Sequence, residues 1–203
     1  TRPVVSTTVI GKVKKDQMLA TNGAQIGQDV ILTKWAGLEG TSILAHEFEE
    51  QLTKLLGGQL VESAKEFGDY LSVVPESKIA PLCNVTSMHD VTEGGVLGAI
   101  WEVAQCAGVG MTIDLDQIVV KEETWRICEV FDISPYRLIS SCCMIMTTFD
   151  GAKMIKELKK EGIDCAIIGQ VTQGGIYWIQ DGKKQEILPP ESDELYKAFG
   201  KTL

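Results

Sequence analysis

Two short stretches combine glycine, hydroxyl and carboxylate residues in a way suited to handling a phosphate group. The first is Gly37-Leu38-Glu39-Gly40-Thr41; the second is His89-Asp90-Val91-Thr92-Glu93-Gly94-Gly95. Glycine lets backbone come close to a ligand, and each stretch runs into a helical pattern whose first N–H groups lack intrahelical acceptors. Such a helix start attracts an anion. Gly37, Gly40, Thr41, His89, Thr92, Gly94 and Gly95 are therefore the candidate phosphate contacts. Asp90 and Glu93 would repel a bare phosphate, so Asp90 is the candidate contact to a metal ion, Mg²⁺, or a water lying between protein and phosphate.

Both stretches also have a plainer reading. Asp90 and Glu93 are three apart at a helix start, which matches a capping box with Asp as the cap. Thr41 fits a helix cap in the same way. On spacing alone, capping accounts for each stretch better than a ligand does. The first stretch is not a P-loop, because the GxxxxGK[ST] spacing is absent. His46 sits among acidic residues and reads as a solvated surface residue. His89 adjoins the glycine loop, but a single histidine makes neither a metal site nor a catalytic triad. Cys142-Cys143, followed by Met144-Ile145-Met146, reads as a buried strand with inert thiols. Lys153, Lys156, Lys159 and Lys160 form the basic stripe of a solvated helix and receive no ligand.

The elements that must position these loops follow from periodicity. Residues Val4 to Val13 are rich in β-branched side chains and predict a strand, and Asp29 to Lys34 predicts a second. From Thr41, the spacing of Leu44, Phe48, Leu52 and Leu55 predicts one amphipathic helix, stopped by Gly57-Gly58. Shorter helices, bounded by Pro75 and Pro81, are expected over Gln59 to Leu82. Gly94 to Ala107 predicts a helix ended by Gly108, and Met111 to Leu115 a strand. A helix over Glu122 to Phe131, the apolar run Cys142 to Phe149 and a helix over Ala152 to Glu161 come next. Strands follow at Asp164 to Val171, Ile176 to Gln180 and Lys184 to Leu188. Asp181-Gly182 joins the last two as a type I′ turn. A short helix over Ser192 to Phe199 closes the chain. This order predicts an α+β (mixed α/β) fold, a mixed β-sheet with packed helices.

A chain of 203 residues suits one domain. Its 44% hydrophobic and 23% charged residues place it among folded globular proteins. The net charge of -9, with Lys and Arg dispersed, argues against a nucleic-acid partner. An anionic ligand would then need local compensation from a metal ion or backbone N–H groups. Six cysteines without a CxxC pair read as reduced thiols of a cytoplasmic protein. No stretch approaches the roughly 18 apolar residues of a membrane span, so no membrane association is expected. The first residues, Thr1-Arg2-Pro3-Val4-Val5, lack a signal peptide's architecture and start inside an apparent strand, which hints at an upstream part.

Four segments in fixed order carry a family resemblance: Gly37 to Ala45, Leu71 to Ala80, His89 to Gly95, and Ala107 to Gly110 followed by Ile113-Asp114. Ser134-Pro135 and Leu138 to Ser141 extend it. Together they resemble the C-terminal domain of the aminoimidazole ribonucleotide synthetase (PurM-like) superfamily, most nearly its HypE-like, AIR synthase-related members. The resemblance implies that residues 1–203 are a single C-terminal domain whose N-terminal ATP-binding domain is missing from this chain. It implies ATP and Mg²⁺ as cofactors of the full-length protein, a nucleotide or other phosphate-bearing small molecule as partner, and a homodimer. In such enzymes ATP's phosphate activates an oxygen or selenium centre; this domain alone should not turn over ATP. Two departures stand out. HypE ends in a cysteine that carries the carbamoyl group, whereas this chain ends Gly200-Lys201-Thr202-Leu203, and Cys142 replaces a glycine usual in relatives. Two other readings remain: a non-catalytic dimerisation or partner-binding module in a maturation pathway, and a sugar-phosphate or thiamine-phosphate enzyme of the same superfamily.

Overall fold

The computed structural model describes residues 5–201. In chain order its strands and α-helices are β1 (Asp29–Thr33), α1 (Leu38–Glu47), α2 (Glu49–Leu56), α3 (Gly58–Lys65), α4 (Val74–Ile79), β2 (Ser87–Asp90), α5 (Gly95–Ala107) and β3 (Gly110–Asp114). There follow α6 (Glu122–Phe131), β4 (Met144–Thr148), α7 (Gly151–Lys160), β5 (Cys165–Thr172), β6 (Ile176–Gln180), β7 (Lys183–Glu186) and α8 (Glu194–Phe199). The strands form one mixed sheet in the order β2-β4-β1-β5-β3-β6-β7. All neighbours are antiparallel except β3 and β6, which run parallel. The expected mixed sheet with packed helices is therefore what the chain forms.

Strand alternation explains where the core lies, because successive side chains point to opposite faces. Val30 and Leu32 of β1 and Ile145 of β4 face one cluster with α5, built on Val96, Ile100 and Val103. Ile31 of β1 and Met144 and Met146 of β4 face the other cluster, against Ile79, Met154 and Leu158. The centre of the sheet is thus covered on both faces, which is why Met144 to Thr148 is buried throughout and reads as an unbroken apolar run. A third cluster joins α1, α2, α3, α6 and α8 through Leu44, Leu52, Val61, Phe131 and Ala198.

Several expected elements change. Val4 lies outside the described residues. Residues 5–13 form no strand, and Val5, Val9 and Ile10 are 83%, 94% and 92% exposed. β-branched residues favour a strand only where a ladder partner and a packed face exist, and this segment has neither among the described residues. The single helix expected from Thr41 starts earlier, at Leu38, and breaks at Phe48, whose backbone leaves helical geometry (φ -116°, ψ 27°). The break lets the Phe48 ring meet Phe131 edge-on at 4.9 Å, while Leu55, expected on the buried stripe, stays exposed. β2 was not expected. At four residues with only partial alternation it has little periodicity to read; pairing with β4 creates it. Asp181 and Gly182 both take positive φ (49° and 72°), as a type I′ turn requires.

Candidate functional site

The first glycine stretch leaves β1 through Lys34 and turns at Gly37, whose positive φ of 70° starts α1. Three of its N–H groups are spoken for. Gly37 N donates to Ser140 Oγ at 2.6 Å, Gly40 N to Ile139 O at 2.9 Å, and Thr41 N to Gly37 O at 2.8 Å. The Thr41 hydroxyl donates to Gly37 O at 2.7 Å and shares a hydrogen bond with Thr124 Oγ1 at 2.9 Å. Thr41 is fully buried inside the first turn, so the expected Thr41 cap is replaced by Gly37. Position 40 must be glycine because a Cβ there would clash with Leu138 Cγ.

The second stretch leaves β2 at Asp90 and enters α5 through Gly94 and Gly95. The expected capping box does not form. β2 pairs Asp90 with Met144 and holds it extended, so Gly94 caps α5 and no side chain does. Glu93 instead accepts from the Tyr196 hydroxyl at 3.3 Å. A Cβ at Gly95 would sit 2.7 Å from Tyr136 O and Leu138 O. Both glycine stretches therefore press from different sides on the segment 135–140, and Ser140 is the buried post between them, donating to Leu138 O at 2.8 Å.

Asp193 takes the place an anion would hold at the start of α5. It is 3% exposed and accepts from Gly94 N at 2.7 Å, Ile139 N at 3.2 Å and Leu195 N at 2.8 Å. Burial pushes its carboxyl above the ordinary value, while the three N–H donors pull it back and Glu93 adds to the rise. Gly95 N donates to Thr92 O at 3.1 Å. Every candidate glycine N–H, and that of Thr41, thus has an acceptor within the protein. His89 is similarly committed, with Nε2 at 2.8 Å from Glu102 and Nδ1 at 3.2 Å from Thr21. What this corner presents outward is Asp90, exposed and without a side-chain partner among the described residues, and the half-buried Thr92. The adjoining cleft, about 320 Å³, is walled by Glu93, Glu102, Glu191 and Asp193. This donor set does not fit a bare phosphate. Among the described residues no group of three or more His, Cys, Asp or Glu could hold a metal ion, so Asp90 could at most supply one carboxylate to a cation that a phosphate brings with it.

Other expectations on side chains come out as read. His46 is exposed. Cys142 and Cys143 are fully buried; burial pushes the Cys142 thiol up to about 12 and raises Cys143 further, and Cys143 Sγ donates to Trp35 O at 3.0 Å. The sequence reading missed the buried Lys34–Glu76 pair, 2.8 Å apart, and Asp193. Lys34 offered no signal beyond one charge ending an apolar strand. Asp193 did offer one, an acidic residue directly ahead of the last helix.

The chain belongs to the family described as AIR synthase related protein, C-terminal domain, whose model matches residues 25–181. It is 27% identical over 200 residues to phosphoribosylformylglycinamidine synthase subunit PurL of Caldanaerobacter subterraneus, covering 94% of this chain and 26% of PurL. It is 24% identical over 180 residues to a protein of Methanocaldococcus jannaschii named for hydrogenase expression and formation, covering 84% of this chain and 50% of that protein. Its fold matches the crystal structure of the hydrogenase maturation protein HypE in complex with ATP, with a TM-score of 0.71 at 15% identity, over 93% of this chain and 57% of HypE. The chain thus spans between a quarter and about half of these relatives.

Proposed function

We propose that this chain is the C-terminal domain of an ATP-using, HypE-like protein that activates a substrate together with an upstream ATP-binding domain, as a cytoplasmic homodimer. The carrying observation is the corner between β2 and α5. Its glycines close the backbone into a tight turn that leaves Asp90 exposed and Thr92 half-buried, and an acidic cleft begins at the neighbouring Glu93. In this reading Asp90 holds Mg²⁺ against the nucleotide phosphates and Thr92 contacts the phosphate or its water shell. His89, Gly94 and Gly95 shape that wall from behind, and Gly37, Gly40 and Thr41 brace it through Ser140. The ATP-bound HypE of similar fold supports a nucleotide as the ligand. Isothermal titration of the full-length protein with Mg·ATP tests it. Saturable binding that Asp90→Ala weakens is the expected result; absence of binding in the wild type overturns the reading.

One observation favours a second reading, a dimerisation or partner-binding module without catalysis. The N–H groups of Gly37, Gly40, Thr41, Gly94 and Gly95 are satisfied internally, as a purely structural corner would have them. A maturation-pathway protein would then be the partner, in keeping with the name of the M. jannaschii relative. In that case Asp90→Ala leaves the biological output unchanged. A sugar-phosphate or thiamine-phosphate substrate would be told apart by product analysis.

A further inference from the structure

A second cleft lies at the C-terminal end of β1, on a different set of loops from the corner just described. Its volume is about 250 Å³, and its walls include Lys34, Trp35, Tyr70, Ser72, Glu76 and Asp164. Three segments meet there: the exit of β1, the approach to α4 and the approach to β5.

Lys34 is not the group that would bind a ligand. Its ammonium donates to Ser72 O at 2.8 Å and Cys142 O at 2.7 Å, and its charge is paired with Glu76 Oε1 at 2.8 Å. With Asp69 and Asp164 also on the walls, the cleft is unsuited to an anion.

Other polar atoms of the walls are unspent. Glu76 is fully buried, and neither of its carboxylate oxygens has a hydrogen-bond partner among the described residues, Oε1 being held to Lys34 as an ion pair and Oε2 by nothing. Trp35 is 5% exposed, and its Nε1–H likewise has none. Buried polar atoms are paired in the great majority of cases, so an unpartnered acceptor and an unpartnered donor on two residues that wall one cleft ask for a matching molecule. The aromatic walls narrow its shape. The Trp35 ring is packed edge to face by Phe67 and Tyr70, with centroids 5.1 Å and 5.2 Å away, and Lys121 Nζ lies 4.8 Å over it, so the half-exposed ring of Tyr70 is the aromatic surface left for a flat guest.

We propose that this cleft binds a small, neutral, planar group carrying an N–H donor beside an acceptor, as a primary carboxamide does. The amide N–H would donate to Glu76 and the amide oxygen would accept from Trp35 Nε1–H. The site does not rest on the reading of the β2–α5 corner, and its ligand need not be the nucleotide.

Benzamide is the probe, and benzoate, equal in shape but anionic and without the donor, is the control. In the ¹⁵N-labelled chain the indole N–H resonances report directly, with Trp35→Phe assigning the signal of Trp35. The expected result is a saturable shift of that resonance with benzamide and none with benzoate. Glu76→Gln should weaken benzamide by about tenfold, the scale of one well-placed hydrogen bond to a charged group. Should that variant fail to fold with Lys34 unpaired, the double variant Lys34→Met/Glu76→Leu, which removes both charges at similar volume, should fold and lose benzamide binding. No saturable shift in the wild type, the behaviour of a cleft that holds only water, overturns the proposal. So does an equal response to benzoate, or undiminished binding in the double variant.

Discussion

Lys34 sits in left-handed backbone (φ 57°), directs its ammonium into the protein and pairs there with a fully buried carboxylate. A buried charge deprived of its partner is costly, whereas a buried pair as such adds little. Glu76→Ala should therefore destabilise the chain by about 3–5 kcal/mol, read as a lower urea midpoint, while Lys34→Met/Glu76→Leu should fall near the wild type. Equal losses in both would show that packing, not charge, sets the cost. Asp90 makes the opposite case. It is exposed and unpartnered among the described residues, so Asp90→Ala should change stability by no more than about 0.5 kcal/mol. Its effect should appear in Mg·ATP titration of the full-length protein, and a large stability loss would mark Asp90 as structural.

At the scale of elements, α5 begins against segment 135–140 so closely that only glycine fits. Gly95→Ala would add a Cβ 2.7 Å from two carbonyl oxygens in backbone of positive φ. A cost of about 1–3 kcal/mol is expected, measurable by thermal or urea unfolding; a neutral substitution would mean the corner is soft. Asp193 ties the same helix start to α8. Its carboxyl is raised by burial, so the folded state holds the proton more tightly than the unfolded chain does. The sign follows: this contribution is fully present below the unfolded value and is lost as pH rises through the folded one. Relative to Asp193→Asn, the wild type should gain stability as pH falls from neutral toward about 4. Parallel urea curves at both pH values check it, and a wild type that loses stability relative to Asp193→Asn on acidification contradicts the assignment.

For the whole molecule, the exposed apolar residues of the N-terminal segment matter most. Val5, Val9, Ile10 and Val13 lie on a stretch without regular structure or a ladder partner among the described residues. Apolar surface of this kind, beside unpaired backbone, promotes association. This chain alone should self-associate in sedimentation velocity, and Val9→Lys/Ile10→Lys should reduce it. A clean monomer at high concentration would count against the expectation. No helix among the described residues is long and apolar enough to cross a membrane.

The sequence alone determined most of the elements, because period and punctuation are local. Glu122 to Phe131 and Ile176 to Gln180 form as read, and the Asp181-Gly182 turn follows from its two positive φ values. It also determined the mixed sheet and, through four ordered segments, the family. Tertiary structure decided what the glycines are for. Capping and phosphate binding both begin with unspent N–H groups, and local spacing cannot say who accepts from them. Ser140, Ile139 and Asp193 lie about 50 to 100 residues away from the groups they satisfy or join, a pairing set by packing alone. The same holds for Lys34 and Glu76, and for the N-terminal segment, whose strand-like sequence forms no strand without a neighbouring edge to join.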